Sequence, residues 1–223
     1  MSEAVAESHF PVGASSLLVV FEGTDGSGKS TAARAFVRHL VDTGVPAHLH
    51  PNRSYRPIRE ALDRVAREEG LRDRHELFGS DASYLMASAT KWRELLTMTP
   101  RLTEPGHVVV VDRYIWSHLA LAQVWGASNG NLVRRMFEEL PRPDVTFLLD
   151  LDPETAAARV RSRGEDINDI AFLARFRVAF HALPEAKDFF VIDAAPSASF
   201  VADEVVRRFR EFCLTGAEGG ITR

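Results

Sequence analysis

Three sets of residues in this sequence have types and spacings suited to chemistry on phosphate. The first is Gly23-x-x-x-x-Gly28-Lys29-Ser30, which follows the apolar run LLVVF at 17–21. Glycines let a backbone curl until successive N–H groups face inward on an anion. Gly23, Gly26 and Gly28, with Asp25 and Ser27 between them, would form that cradle. A helix opening beyond the loop adds the partial positive charge of its N-terminus. In such a loop Lys29 bridges β- and γ-phosphates, the Ser30 hydroxyl ligates Mg2+, and Thr31 reaches the α-phosphate. A bland turn that merely caps a helix is the competing reading. It loses ground because strand, loop and helix are all in register, so the loop points to the triphosphate of ATP.

The second set is VVVVDRY at 108–114. An acidic residue at the carboxyl end of a buried strand lies at a parallel sheet's ligand-binding edge. Asp112 could there hold Mg2+ through water, and Arg113 could fork onto a second anion. A surface salt bridge at a strand end is the bland alternative. The third set is RVRSRGED at 159–166. On a helix Arg159 and Arg163 share a face, at i and i+4. A mobile arginine lid would neutralise the charge of a transferring phosphoryl group; a solvated basic helix face is the alternative.

The elements that must position these groups can be read from the apolar pattern. Ala33, Phe36, Val37, Leu40 and Val41 repeat at helical spacing and stop at Gly44. Ile58, Ala61, Leu62, Val65 and Ala66 repeat that stripe and end at Gly70. A long helix is expected over 81–98, closed by Pro100, another from Pro153, and a last one carrying Phe200, Val205, Phe209 and Phe212. Strands are expected at 17–21, 47–50, 108–111, 145–152 and 189–193. Fully apolar strands separated by helices give a parallel five-stranded sheet covered on both faces, an α/β three-layer sandwich.

Length suits one domain, read as residues 16–214 with the lid at about 159–170. The acidic first fifteen residues lack a signal peptide's positive flank and read as a loose extension; GAEGG (216–220) reads as fraying, so 215–223 is expected to be a flexible tail. The net charge of −4 gives no basic footprint for nucleic acid. No apolar run approaches the ~20 residues that span a bilayer. The one cysteine, Cys213, fits a reducing cytosol and reads as a small buried hydrophobe. The eight histidines show no metal-ligand spacing beyond His48 and His50, which could share a strand face.

The three sets, in this order, resemble the thymidylate kinase family of P-loop nucleoside monophosphate kinases. FEGTDGSGKST (21–31), DRYIWSHLALAQ (112–123), LDLDPETAAARVRSRGED (149–166), FLARFRVAF (172–180) and VIDAAPS (191–197) each resemble a segment of that family. The resemblance implies a P-loop NTPase fold and transfer of the ATP γ-phosphoryl group to dTMP with Mg2+. It implies that Asp25 faces the acceptor, that Arg113 holds the acceptor phosphate, and that Ser117 lines the acceptor site. Gly26 stands where one family subtype has an arginine. The resemblance therefore gives that work to the lid, where Arg159 and Arg163 are the candidates ahead of Arg161, which lies on another helix face. A homodimer is implied as well, beside the cytoplasmic location read from the lone cysteine.

The acceptor half departs from the family pattern. HPNRSYRPIRE (50–60) replaces its R-E-P-G turn, leaving Arg53 as a substitute. Ala87 stands where the family stacks a phenylalanine on the base, Lys91 where it has an arginine, and Leu121 where it has a tyrosine. Losing the ring removes about 1–3 kcal/mol of stacking, and lysine lacks the bidentate fork. Tyr84, Trp92, Trp116 or Trp125 could rebuild the stack, or could pack in the core. Three alternatives follow. One is a kinase of another nucleotide or phosphorylated metabolite. Another is a nucleoside kinase using Glu22 or Asp25 as base, and the third is a nucleotide-binding regulator without turnover.

Overall fold

The structure, a computed structural model, describes residues 16–53, 56–164 and 169–219. The expected N-terminal extension lies outside these residues, as does the middle of the expected lid. In chain order the elements are β1 (Leu17–Glu22), α1 (Lys29–Asp42), β2 (Ala47–His50), α2 (Arg56–Glu68), α3 (Arg74–Leu96), β3 (Val108–Asp112), α4 (Ile115–Trp125), α5 (Gly130–Phe137), β4 (Val145–Asp150), α6 (Pro153–Arg161), α7 (Ile170–His181), β5 (Phe190–Asp193) and α8 (Ala198–Gly219).

All five strands pair in parallel, in the order β2-β3-β1-β4-β5. Every residue of β1 and β3 is buried, which is why both read as unbroken apolar runs instead of alternating ones. Side chains of β1 still alternate between the two faces. Leu17, Val19 and Phe21 enter one core, beneath α1 and α8; Leu18 and Val20 enter the other, beneath α4 and α7. The first core is organised by Phe21, Phe36, Phe147 and Phe209, with Phe36 and Phe209 edge to face at 5.0 Å between ring centres. Two covered faces around one sheet make the expected three-layer sandwich.

Local signals set the element ends. Asp73 caps α3 by accepting from the N–H groups of His75 and Glu76, and Asp152 caps α6 through the Thr155 N–H. The helix expected from 81 thus starts seven residues earlier. Gly79, at φ 76° and ψ 166°, breaks its backbone and with it the apolar stripe, so periodicity reports only the part beyond the kink. Likewise α8 runs to Gly219, and the tail expected from 215 begins inside it. Among the described residues no helix is long and apolar enough to cross a membrane.

Parallel pairing places all five strand ends on one edge of the sheet. Those ends carry Glu22, His50, Asp112, Asp150 and Asp193, a concentration of polar groups where a doubly covered sheet can still reach solvent. The core that supports this edge should be tested away from it. Phe209→Ala, on α8, should cost about 3–5 kcal/mol in urea unfolding with an unchanged m-value; a loss under about 1 kcal/mol would show that the four-ring cluster is not the packing centre.

Candidate active site

The loop between β1 and α1 is held by its glycines. Gly23, Gly26 and Gly28 have φ of 137°, 84° and 89°, values that side chains rarely adopt. Space is the second constraint. A Cβ on Gly23 would overlap the Leu149 carbonyl, and one on Gly26 would overlap the Ala156 carbonyl of α6. Position 26 therefore has no room for any side chain, which accounts physically for the missing arginine. It also ties the loop to the helix that leads into the lid.

Within the loop, Lys29 is buried and donates to the Thr24 carbonyl at 2.5 Å and to Ser27 Oγ at 3.5 Å. Burial brings its ammonium down to about 8. The Ser30 hydroxyl donates to Asp112 Oδ2, so the helix start and the end of β3 meet. The other carboxylate oxygen, Asp112 Oδ1, is buried without a partner. Two hard oxygens side by side, one of them unsatisfied, suit Mg2+. Among the described residues there is no cluster of three or more His, Cys, Asp or Glu that could hold a metal, so such an ion would take its remaining ligands from phosphate and water.

Arg113 is the one non-glycine residue at positive φ, at 65°, among the described residues. Left-handed backbone costs such a residue about 1–2 kcal/mol, and the contacts around it offset this. Its N–H donates to the Phe21 carbonyl at 2.9 Å. Its guanidinium donates to the Gly23 carbonyl (3.1 Å), to Ser117 Oγ (3.2 Å) and to Asp25. That pairing draws the Asp25 carboxyl down to about 2. Sequence reasoning singled out Asp25, Arg113 and Ser117 separately, and the structure brings them together.

It also adds Glu22, weighed from sequence only as a proton acceptor. Glu22 is fully buried at the end of β1. Its Oε1 accepts from the N–H groups of Tyr114 (2.9 Å) and Ser117 (3.2 Å), and its Oε2 accepts from the Ser117 hydroxyl. Burial pushes its carboxyl up, while the Ser117 hydroxyl, Arg113 and the two amides pull against that. Both oxygens are committed to the start of α4.

The lid arginines lie elsewhere. Arg159 spends its guanidinium on the carbonyls of Ala194 (2.9 Å) and Ala195 (3.0 Å), after β5. Arg159 and Arg163 line a cavity of about 300 Å3 with Ser27, Gly28, Thr31 and Ser197. They thus lie beside the loop, in a cavity that Asp25 and Arg113 do not line, and Arg159 donates to carbonyls there. A second latch went unseen in the sequence. Asp150, at the end of β4, accepts from Arg177 Nε (2.7 Å) and a second Arg177 nitrogen (2.6 Å), with His181 Nε2 at 3.2 Å. This fixes α7, on the far side of the lid, to the sheet edge.

The acceptor candidates separate. Lys91 is buried, with its ammonium 3.1 Å from both Glu94 Oε1 and Asn52 Oδ1. Glu94 Oε1 also accepts from the Arg53 N–H at 3.1 Å and lies 3.6 Å from His50 Nε2. Lys91 therefore binds its own chain rather than projecting as an open cation, and Arg53 contributes its backbone here while its side chain is exposed. Ala87 and Leu121 are half-buried, Leu121 against the second core. The aromatic rings take the packing role. Tyr84 is fully buried against Trp125, Trp92 packs against the second core, and Trp116 lies on Phe189 and donates to Thr146 Oγ1 at 3.3 Å. Cys213 packs on the first core, where burial pushes its thiol up to about 11, as its reading as a small hydrophobe requires.

Comparison with known proteins gives a consistent picture. The family model described as thymidylate kinase matches residues 21–205. A probable thymidylate kinase of Archaeoglobus fulgidus is 32% identical over 204 residues, spanning 88% of this chain and 96% of that one. One of Pyrobaculum aerophilum is 34% identical over 191 residues, spanning 84% and 93%. A thymidylate kinase of Halothermothrix orenii is 26% identical over 204 residues, spanning 87% and 96%.

The lowered Lys29 gives the site a proton signature. Phosphate beside the ammonium must restore its usual range. At pH 8 about half of the free protein lacks this proton, so binding ATP should take up about half a proton, falling towards zero at pH 6.5. Calorimetry in two buffers of different ionisation enthalpy reads this directly. Uptake that is absent at pH 8, or that persists in Lys29→Ala, would remove Lys29 from the phosphate site.

Proposed function

The chain belongs to the thymidylate kinase family, and on that premise we propose that it transfers the γ-phosphoryl group of ATP to the phosphate of dTMP. The observation that carries this reading is a division of charge at one sheet edge. A loop with its own lysine is built for one phosphate chain. A separate arginine, Arg113, stands beside it for another.

The loop N–H groups and the N-terminus of α1 receive the triphosphate, with Lys29 on its outer phosphates and Thr31 towards the α-phosphate. Ser30 and Asp112 would hold Mg2+, which when bound draws charge from the phosphate oxygens. Arg113 orients the acceptor phosphate through its planar fork, steadied by Asp25. The donor cavity between the loop and Arg159 takes the nucleoside end of ATP. Arg163, past the end of α6 and lining that cavity, is the lid cation best placed to approach the phosphates. Direct in-line transfer needs no covalent intermediate, and lid closure keeps water from taking the phosphoryl group instead.

A hydroxyl-phosphorylating reading is disfavoured by the two carboxylates it would need. Glu22 is fully buried with both oxygens accepting, and Asp25 is held at about 2, far below the range of an efficient base at neutral pH. A homodimer is supported by apolar side chains left on one side of α2, Ile58 at 53% and Val65 at 44% exposure, seven residues apart. A reducing, cytoplasmic setting is supported by the lone, half-buried cysteine.

Two measurements test these readings. Coupled ADP release with ATP·Mg2+ should be fast with dTMP and absent with thymidine; the reverse order would establish the hydroxyl kinase. Turnover with a different monophosphate alone would show that Ala87, Lys91 and Leu121 have redirected the base site. Arg113→Ala should raise KM for dTMP far more than KM for ATP, and equal effects on both would count against its acceptor role. Sedimentation should give twice the chain mass of 24.8 kDa, and Ile58→Asp should return the protein to a single chain.

A further inference from the structure

Glu22 is fully buried, and its contacts converge on the residue proposed to hold the acceptor phosphate. Ser117 has one hydroxyl hydrogen, and it is donated to Glu22 Oε2. The lone pairs of the same oxygen therefore face outward and accept from Arg113 at 3.2 Å. Among the described residues, Glu22 is the partner that gives this hydrogen an acceptor. The polarity of Ser117 is thus set from behind, by a buried carboxylate.

The second arm is the backbone. Glu22 Oε1 takes the N–H groups of Tyr114 and Ser117. Together with the bond from the Arg113 N–H to Phe21, this pins both peptide groups flanking Arg113 to the end of β1. Left-handed backbone in a side-chain-bearing residue persists where the surroundings over-determine it, and these bonds do so at φ 65°.

We propose that Glu22 is a positioning residue for phosphoryl transfer: through Ser117 and the backbone on either side of Arg113 it fixes where the Arg113 guanidinium points. The inference rests on the acceptor role of Arg113 proposed above. It explains the combination of an acidic side chain, a buried strand end and a hydroxyl four residues beyond Arg113. A merely structural carboxylate would need no relay to an arginine.

Glu22→Gln is the discriminating variant. It keeps size and shape, but its amide donates to Ser117 Oγ, forcing the hydroxyl hydrogen towards Arg113, donor against donor. KM for dTMP should rise about 10–100-fold, the loss of one hydrogen bond to a charged group, with KM for ATP held within about twofold. Ser117→Ala cuts the same relay, and adding Glu22→Gln to it should raise KM for dTMP by much less than Glu22→Gln does alone. Equal changes in both KM values, or fully independent effects of the two substitutions, would overturn the proposal. Where Glu22→Gln does not fold, Ser117→Ala decides alone, since an unchanged KM for dTMP in that variant also overturns it.

One readout needs no substrate. The Ser117 hydroxyl proton should exchange slowly and resonate downfield in the unmodified protein, and the Arg113 Nε–H signal should move in both variants. If the unmodified protein does not phosphorylate dTMP, the functional reading fails while these signals still judge the relay. Their absence, with an unmoved Arg113 signal, would reject it.

Discussion

A carboxylate buried at the end of the central strand is the constraint to which the rest of the site is fitted. Glu22 is removed from water, and a lone buried charge of that kind costs several kcal/mol unless donors surround it. The donors are the first turn of α4, namely Tyr114 N–H, Ser117 N–H and the Ser117 hydroxyl. Satisfying Glu22 therefore decides where α4 begins and how the chain leaves β3. That exit passes through Asp112 and Arg113, one facing the loop serine and the other facing Asp25. Asp112 and Arg113, the groups proposed for metal and acceptor, thus inherit their positions from one hydrogen-bonding requirement.

The donor half obeys a different constraint, that of close backbone approach. Gly23 and Gly26 let the loop lie against the carbonyls of Leu149 and Ala156. The loop is consequently packed on the strand and helix that lead into the lid. Arg159, further along the same helix, clasps the turn after β5, and Asp150 holds α7 through Arg177. The helices α6 and α7 are therefore each tied to the sheet edge.

These two constraints explain what could be read from the sequence. Backbone-built features leave local, compulsory marks. Only glycine fits at 23 and 26, and lysine and serine follow at fixed offsets, so the loop was legible from spacing alone. The buried strands were legible because a parallel sheet covered on both faces needs unbroken apolar runs. Gly79 hid the start of α3 by breaking its period. The role of Glu22 was illegible because its partners lie more than ninety positions away. The links of Lys91 to Asn52 and of Asp150 to Arg177 are likewise between residues that no local pattern relates.

The same contrast bears on specificity. A cradle of N–H groups recognises any triphosphate, and its glycines, Lys29 and Ser30 stand at compulsory offsets, so the donor half stays recognisable. Base recognition uses side chains, and side chains can be exchanged in sets. Here the lysine at 91 is neutralised by Glu94 and shared with Asn52, while Tyr84, Trp92 and Trp116 are spent on packing. Glu94 Oε2 is buried without a hydrogen-bond partner, and burial acts to raise its carboxyl while His50 and Lys91 bring it below the usual range. A polar network with a spare acceptor thus occupies the side of the site where the family pattern has a projecting arginine. Lys91 of that network is near enough to Glu22 and Arg113 for their charges to act on it, so the network is an electrostatic neighbour of the proposed phosphate end, Arg113 with Asp25 and Ser117.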